Sequence, residues 1–377
     1  MIGYIFFVFF VLLFAFLGDE KVTSERTAVY FRCLLVFTLA YMIGLGGSGA
    51  TDNADYQLAF KHMPGFSQLG IDSIWTFFFD RYEDHEYGFV SLIVILKQFG
   101  FSPVGICFIL ALITNTLIVK TYYRFHYPLL IFMLFLSSPF FAQEPNLIRQ
   151  TLAISIFVFS LKYIEEKDWK KYLLCVLIMF LIHHSSIITL LFLPFCFNIN
   201  IHSINVHKIL KYSFIAIWVV SVLIALGRIA FDLTGLSLLM VGSEGYDAYL
   251  NDENRIGTAA LKFNLVYNLV VAIYFFFGKD KKEQNIYAYC FLIGAIVQNV
   301  SVQFPNFYRM SLYFSVLSPI VISEMVYDFT NGRSSKKALN TGLSAMIVLL
   351  YIRSLIISIA ANSEYIGKEM NSIFDIF

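Results

Sequence analysis

The stretch that decides the fold is residues 172–197, which read YLLCVLIMFLIHHSSIITLLFLPFCF. Two short apolar runs flank the polar break His183-His184-Ser185-Ser186. A helix needs about 20 apolar residues to cross a bilayer, and shorter runs are typical of half-spans. Broken backbone at membrane depth is tolerated only where it is buried in protein or lines a wet cavity. The break therefore predicts two short helices that fold back on each other near a polar site.

The composition of the whole chain indicates a membrane protein. Of the 377 residues, 58% are hydrophobic and 14% are charged, whereas a soluble domain carries roughly 25% charged residues. The mean hydropathy is +0.71, and 41 Phe and 23 Tyr supply more aromatic surface than a water-facing protein tolerates. The net charge of +1 provides no basic field for nucleic acid. A soluble enzyme, a nucleic-acid-binding protein and a disordered scaffold are therefore excluded.

Apolar segments of spanning length recur along the chain. The full-length candidates are residues 2–17, 29–46, 103–120, 127–141, 147–165, 209–229, 259–277, 286–303, 309–328 and 338–360. We therefore predict an all-α, polytopic transmembrane helical bundle of about 10–14 helices, including short re-entrant or half-span helices. It is expected to form a single integral membrane domain over residues 1–377. No basic segment precedes residues 2–17 and no small-residue cleavage site follows them, which favours a retained transmembrane helix over a signal peptide.

Basic residues in short loops predict the orientation, because such loops remain in the cytoplasm. The most basic loops are residues 165–171, 278–284 and 330–337. The longer acidic loops, about 47–85 and 230–258, are predicted to be external. Between a cytoplasmic loop and an external loop, the chain must cross the membrane an odd number of times. This condition is met if residues 86–98 form a half-helix and residues 172–197 form a hairpin.

The cysteines are predicted to be buried packing residues. Five of them lie singly in apolar stretches, without a CxxC or His-rich spacing that would indicate zinc or a redox pair. They are Cys33, Cys107, Cys175, Cys196 and Cys290.

Ionisable residues at membrane depth mark functional sites by default, and two of them are arginines. Arg149 is predicted in the first turns of an external helix start, where free N–H groups favour a bound anion. Arg309 follows Asn306-Phe307-Tyr308 at a second such start, one turn before Tyr313. Two arginines in one cavity would form a bidentate site for a diphosphate. The alternatives are that Arg149 reaches a lipid phosphate and that Arg309 pairs with an external carboxylate.

The other candidates are histidines and carboxylates. A histidine in the break of the hairpin is a general base, a diphosphate donor or a group bonded to a backbone carbonyl, and the adjacent serines are expected to cap the second half-helix. Asp55, beside Tyr56, and Glu86, at the start of the half-helix, are better candidates than Asp52. Each of these carboxylates is otherwise a solvated group or a partner of a helix dipole.

These residues together resemble the EpsG family of Wzy-like polymerases of exopolysaccharide, capsule or O-antigen. Residues 147–153 (LIRQTLA), a basic turn and residues 182–188 (IHHSSII) match its Arg and His motifs, with Arg149 and His184 at the Arg and His positions. Asp55-Tyr56, Glu86-Tyr87-Gly88-Phe89 and Arg309 with Tyr313 match three further motifs in order, over about residues 30–330. His183 departs from the family, which often has an aromatic residue there, and this leaves open which histidine is functional.

The resemblance implies a GT-C-like glycosyltransferase in the bacterial cytoplasmic (inner) membrane. Its substrates would be oligosaccharide repeat units on undecaprenyl diphosphate, and it would transfer the growing chain from its lipid diphosphate to the next unit on the external face. A chain-length regulator and a flippase are the partners it suggests, without nucleic acid, metal or cofactor. The alternatives are a lipid-linked oligosaccharide flippase or transporter and an O-antigen ligase.

The candidate residues divide into two sets. Those expected to be catalytic are Arg149, His184, Asp55 and Arg309, with Asp55 or His184 as the base and Glu86 in reserve. Those expected to bind substrate are Glu86, Gln150, His183, Tyr308, Tyr313 and Tyr56.

Overall fold

The structure is a computed structural model that describes residues 2–44, 51–63, 86–197, 204–226, 267–274, 286–301 and 307–331, with short pieces between 341 and 356. All regular secondary structure in these residues is helical. The chain divides into two compact units, Met1–Phe197 with Val348–Phe377, and Asn198–Ile347. The predicted external loop 230–258 and most of the predicted span 338–360 lie outside the described residues.

The described part of the first unit consists mainly of α-helices. Their bounds are α1 Ile2–Leu17, α2 Glu25–Gly44, α3 Thr51–His62, α4 Tyr87–Gln98, α5 Pro103–Tyr122, α6 Pro128–Leu136, α7 Pro139–Gln143, α8 Ile148–Glu165 and α9 Trp169–Ile182, followed by a 3₁₀ helix, His184–Cys196. Polar caps define several helix starts. The Ser102 side chain accepts a hydrogen bond from the Gly105 N–H at 3.1 Å, and Pro103 occupies the first position of α5.

Neighbouring helices of the first unit pack against each other as α1 on α2, α2 on α5, α5 on α8 and α8 on α9. Gly44 permits a close approach of α2 to α5, because a Cβ atom there would lie 2.4 Å from Phe108 Cα. Arg124, just after α5, forms a 2.7 Å ion pair with Glu165 at the end of α8. The carboxyl ends of α5 and α8 therefore lie on the same side of the helix bundle. Helices α6 and α7 connect the end of α5 to the start of α8.

Helix α4 is the half-helix predicted over residues 86–98. It has 12 residues, and at 1.5 Å per residue it is too short to cross a hydrocarbon core of about 30 Å. Lys97, near its end, donates hydrogen bonds to the carbonyls of Phe60, at 2.9 Å, and Met63 at the end of α3. At its other end, Glu86 contacts Arg149 at the start of α8. Both ends of α4 thus contact elements that the loop charges place outside.

The hairpin over residues 172–197 is broken where the sequence predicts. Helix α9 ends at Ile182, and His183 is extended, with φ −157° and ψ 112°. The second half is a 3₁₀ helix and not an α-helix, and Pro194 lies inside it. The expectation that the serines cap this half is wrong: its first position follows His183, and no side chain forms a cap hydrogen bond there.

Two predicted continuous spans are interrupted. Residues 127–141 form α6 and α7, because Pro139 has no N–H to continue the ladder and Ser138 instead accepts a hydrogen bond from the Phe141 N–H at 3.2 Å. Residues 309–328 are likewise divided between two helices, with the break just before Ser318-Pro319.

The described part of the second unit is also helical. It contains α10 Ile204–Ala225, a helical stretch over residues 267–274, α11 Ile286–Ser301, α12 Phe307–Ser315 and α13 Ser318–Asn331. A polar network joins three of these elements. Asn268 accepts a hydrogen bond from Trp218 Nε1 at 2.7 Å and donates one to Asn299 at 2.6 Å, and Asn299 donates to Ser221 at 2.9 Å.

Among the described residues, the helical stretches long and apolar enough to cross a membrane are Glu25–Gly44, Pro103–Tyr122 and Arg309–Asn331, with several shorter apolar helices beside them. Large apolar side chains such as Phe6 and Leu174 are exposed, and a lipid environment removes the cost of that exposure. Cys107, Cys196 and Cys290 are buried as predicted, but Cys175 is half-buried and Cys33 is exposed. The prediction is wrong for Cys33, which lies on an outward face of α2.

Candidate functional site

Three separate stretches of the first unit meet at the carboxylate of Glu86, the residue before α4. Glu86 Oε2 accepts a hydrogen bond from Arg149 Nη1 at 2.7 Å. Glu86 Oε1 lies 2.8 Å from His183 Nδ1 and accepts a hydrogen bond from the backbone N–H of His184 at 3.1 Å. We call Glu86, Arg149, His183 and Tyr56 the Glu86 cluster.

Tyr56 joins the cluster from α3. Its hydroxyl accepts a hydrogen bond from Arg149 Nε at 3.2 Å. The guanidinium carbon of Arg149 lies 5.8 Å from the centre of the Tyr56 ring and 6.0 Å from that of Phe89, within the range of cation–π attraction. Arg149 thus has an aromatic environment on two sides and a carboxylate in front of it.

The position of Arg149 explains why it needs a carboxylate. It is the second residue of α8, where the positive end of the helix dipole repels a cation. Glu86 supplies the compensating negative charge, and the side chains of this pair are 20% and 8% exposed. The anion expected at this helix start is therefore, in the structure, a side chain of the protein itself.

A glycine permits this arrangement. A Cβ atom on Gly88 would lie 2.6 Å from Leu181 Cβ and 2.7 Å from the Leu181 carbonyl oxygen, closer than real Cβ contacts. The first turn of α4 therefore rests directly on the last turn of α9. This contact places Glu86 beside the break at His183 and gives a physical reason for a glycine in the EYGF segment.

The protonation of Glu86 follows from its surroundings. Burial raises its pKa, but the hydrogen bond to His183 and the charge of Arg149 outweigh burial and lower the pKa to about 2, from an ordinary 4.5. An ionised carboxylate has no proton to donate. His183 Nδ1 must therefore carry the proton of their hydrogen bond, which makes Nε2 the nitrogen that is available for chemistry in the neutral ring.

The structure brings together four of the residues that the sequence singled out: Glu86, Arg149, Tyr56 and His183. The side chain of His184 lies outside the cluster. It is exposed, and its ring lies 4.8 Å from the ring of Phe180. Only its backbone contributes to the cluster. Of the two histidines that the sequence left open, His183 is therefore the one whose side chain contacts Glu86.

The remaining candidates in the first unit lie outside the cluster. Asp55 is exposed on α3, and the described contacts do not include one from Asp55 to Glu86, Arg149 or His183. Gln150 is 2% exposed inside α8. The side chain of Asp52 is outside the described residues.

Arg309 and its neighbours belong to the second unit. Arg309 is exposed on α12, Tyr313 is buried, and the side chain of Tyr308 lies outside the described residues. A diphosphate site formed by Arg149 together with Arg309 thus stays a prediction. In the described residues, no group of three or more His, Cys, Asp and Glu side chains is arranged to hold a metal ion.

Sequence reasoning missed Gly88 and Lys97 as positioning residues. Gly88 had been quoted only as part of a motif, and its role depends on a distance to α9 that is not visible in the chain. Lys97 looks like an ordinary helix-end cation, but its ammonium group binds the carbonyls at the end of α3, the helix that carries Tyr56.

An all-helical chain with spanning helices, a half-helix and a buried ionic cluster at a broken hairpin defines a membrane protein with a polar site inside its helices. The comparison with protein families is more specific: the model of the EpsG family matches residues 29–367. The chain therefore belongs to the EpsG family, which associates it with polysaccharide biosynthesis and polymerase-type membrane proteins. Neither a curated protein nor a solved structure matches the chain.

Proposed function

We propose that this protein is a polysaccharide polymerase that joins oligosaccharide repeat units carried on undecaprenyl diphosphate. It transfers the growing chain from its lipid diphosphate to the next unit on the external face of the bacterial cytoplasmic membrane. The observation that carries the proposal is the Glu86 cluster, in a chain of the EpsG family. The cluster contains the two chemical functions that such a transfer requires, a base and a cation.

The base is His183. Glu86 accepts the Nδ1 proton and orients the ring, as a carboxylate does for the histidine of a hydrolase triad. His183 Nε2 then takes the proton of the acceptor hydroxyl as its oxygen bonds to the anomeric carbon of the donor. Glu86 itself is a poor base, because a carboxylate whose pKa is about 2 holds a proton weakly.

The cation is Arg149. As the new glycosidic bond forms, the bond from the anomeric carbon to the diphosphate oxygen breaks, and negative charge develops on the leaving lipid diphosphate. A guanidinium at the start of α8, together with the positive end of the helix dipole, stabilises this charge. Glu86 keeps the guanidinium oriented between turnovers, and Tyr56 and Phe89 limit its movement.

The other candidates keep subsidiary roles in the proposal. Tyr56 and Gln150, which lie in the same unit as Arg149, contribute to the saccharide or lipid site. A flippase that delivers the repeat unit and a chain-length regulator are the partners such a reaction uses.

The test is reconstitution of the full chain in proteoliposomes with the host's undecaprenyl-diphosphate-linked repeat unit. We expect a ladder of products at multiples of the unit on a gel. Arg149→Ala should slow the reaction about a hundredfold, the usual cost of removing a group that stabilises transition-state charge. The control is Arg124→Ala, which breaks an exposed ion pair with Glu165 at the other end of α8 and should leave the ladder intact.

Two outcomes would contradict the proposal. Movement of the lipid-linked unit across the vesicle membrane without a ladder would indicate a flippase. Transfer of a preformed polymer to a different acceptor, without any joining of repeat units, would indicate a ligase.

A further inference from the structure

A second polar group lies inside the first unit, apart from the contacts of the Glu86 cluster. Glu144 follows α7, and its side chain is 1% exposed, while Asn115 in the middle of α5 is fully buried. Asn115 Nδ2 donates one hydrogen bond to Glu144 Oε1 at 2.8 Å and another to the carbonyl of Ala111 at 2.9 Å. Both protons of the Asn115 amide are therefore used.

Two oxygen atoms of this pair are left without a partner. Within the described residues, neither Glu144 Oε2 nor Asn115 Oδ1 has a hydrogen-bond partner, although both are buried. A buried polar atom without a hydrogen bond costs about 1–3 kcal/mol. Such atoms call for a guest that the described residues do not supply.

Among the described residues, no cation compensates the charge of Glu144. Its contacts among the described residues include the neutral amide of Asn115 but no ion pair, in contrast to Glu86 with Arg149. A carboxylate buried without a cation is so costly that the group takes up a proton instead. Glu144 is accordingly a neutral carboxylic acid, and because Oε1 accepts from Asn115, the O–H is on Oε2.

A cavity adjoins this pair. Glu144 lines it together with Thr114 of α5 and Thr151 of α8, and the remaining lining is mostly apolar. A neutral Glu144 offers one donor, and Asn115 Oδ1 offers one acceptor on the amide beside it. A hydroxyl group, which accepts one hydrogen bond and donates one, complements this pattern. A fully ionised phosphate has no donor for Asn115, and an ammonium group has no acceptor for the O–H of Glu144.

We propose that Glu144 and Asn115 form a hydroxyl-binding site inside the membrane domain, with neutral Glu144 as donor and Asn115 as acceptor. The hydroxyl is that of a buried water molecule, because the cavity has room for about one water. The site rests on the geometry of α5, α7 and α8 and is independent of the proposed polymerase reaction.

The first test is infrared difference spectroscopy of the full chain in lipid nanodiscs at neutral pH. A carbonyl band of a protonated carboxylic acid should be present in the wild type and lost in Glu144→Gln, whose amide keeps one acceptor and one donor. The matched control is Glu166→Gln, an exposed glutamate in the basic loop, which should leave the band in place. If Glu144→Gln does not fold, Glu144→Asp assigns the band by shifting it. A wild-type spectrum without the band would overturn the proposal.

The second test identifies the guest from an experimental density map of the full chain, with and without the lipid-linked repeat unit. An isolated peak within hydrogen-bond distance of Glu144 Oε2 in both samples identifies the bound water and supports the site, whereas density continuous with a sugar ring would contradict the assignment to water. An empty cavity in both samples would overturn the proposal. Polymer synthesis is measured in the same preparation, so failure of this site and failure of the proposed function are distinguishable.

Discussion

At the scale of single residues, the same side chain type has opposite roles in two environments. Glu86 faces Arg149 and His183 and remains ionised, whereas Glu144 faces an uncharged amide, Asn115. Both are buried, so burial alone does not decide their charge. The partner decides it, because an opposite charge and hydrogen-bond donors stabilise the ionised form.

Acid should weaken the Glu86 cluster within a defined pH range. The pKa of Glu86 is about 2 in the folded protein, against an ordinary 4.5, so the ionised carboxylate stabilises the fold fully above about pH 4.5 and this contribution is lost as the pH falls towards 2. The lost contribution is about 3 kcal/mol. Thermal unfolding of the wild type in detergent, measured between pH 3 and pH 7, should show a decline below pH 4.5 that Glu86→Gln lacks. An equal decline in both proteins would contradict this assignment.

The sequence predicted those residues of the site whose role depends on their neighbours along the chain. Arg149 at a helix start and Glu86 before a short helix were evident from the chain, because charges are rare in apolar sequence. The choice between His183 and His184 was not evident. Adjacent residues point in different directions once the backbone becomes extended at the break, and only the contact of α4 with α9 selects His183.

At the scale of helices, the site depends on how closely α4 approaches α9. Position 88 lies at this contact, where even a methyl group would meet Leu181 at less than 3 Å. The half-helix and the broken hairpin therefore pack as a single structural unit, and the conformation of each depends on its contact with the other.

Gly88→Ala should separate these two elements. The added methyl group forces α4 away from Leu181, at a cost of about 1–3 kcal/mol for overpacking, and moves Glu86 away from His183. We expect a lower melting temperature and a loss of polymer synthesis. The matched control is Gly3→Ala, since a Cβ atom on Gly3 meets no atom within 4 Å. Full activity in Gly88→Ala would show that the close contact is not required.

Helix positions were largely predictable and helix continuity was not. Apolar runs located α1, α2, α5 and α8, and of these α2 and α5 are long and apolar enough to cross a membrane. The interruption between α6 and α7 was missed, since Ser138-Pro139 lies within an apolar run of ordinary length. Its cap hydrogen bond to Phe141 shows why the helix restarts there.

At the scale of the whole molecule, two ionic contacts mark the two ends of α8. Glu86 pairs with Arg149 at the start of α8, and Arg124 pairs with Glu165 at its end. The loop charges predict that the second pair, next to the basic loop 165–171, faces the cytoplasm and that the Glu86 cluster lies on the external side.

Cysteine labelling tests this orientation. In a variant whose native cysteines are replaced by serine, Asp55→Cys and Phe99→Cys should react with a membrane-impermeant maleimide in intact cells. Glu166→Cys should react only after the cells are permeabilised. Phe99 is the informative position, since it follows the half-helix and is 73% exposed. Labelling of Phe99→Cys from the cytoplasm alone would mean that α4 is part of a crossing.

The all-helical membrane fold was predictable from composition, and the family from five short motifs in order, confirmed by the match over residues 29–367. A joint site of Arg149 and Arg309 stays a prediction, because the two arginines belong to different units. Long-range placement depends on packing between segments that share no pattern along the chain.

The central claim is that His183, oriented by Glu86, is the base of the transfer reaction. The most direct measurement compares His183→Ala with His184→Ala in the proteoliposome assay with the lipid-linked repeat unit, with folding checked by melting temperature. We expect His183→Ala to slow synthesis by about a hundredfold or more, the usual contribution of a general base, and His184→Ala to have the smaller effect. Normal synthesis by folded His183→Ala, with loss in His184→Ala, would contradict it.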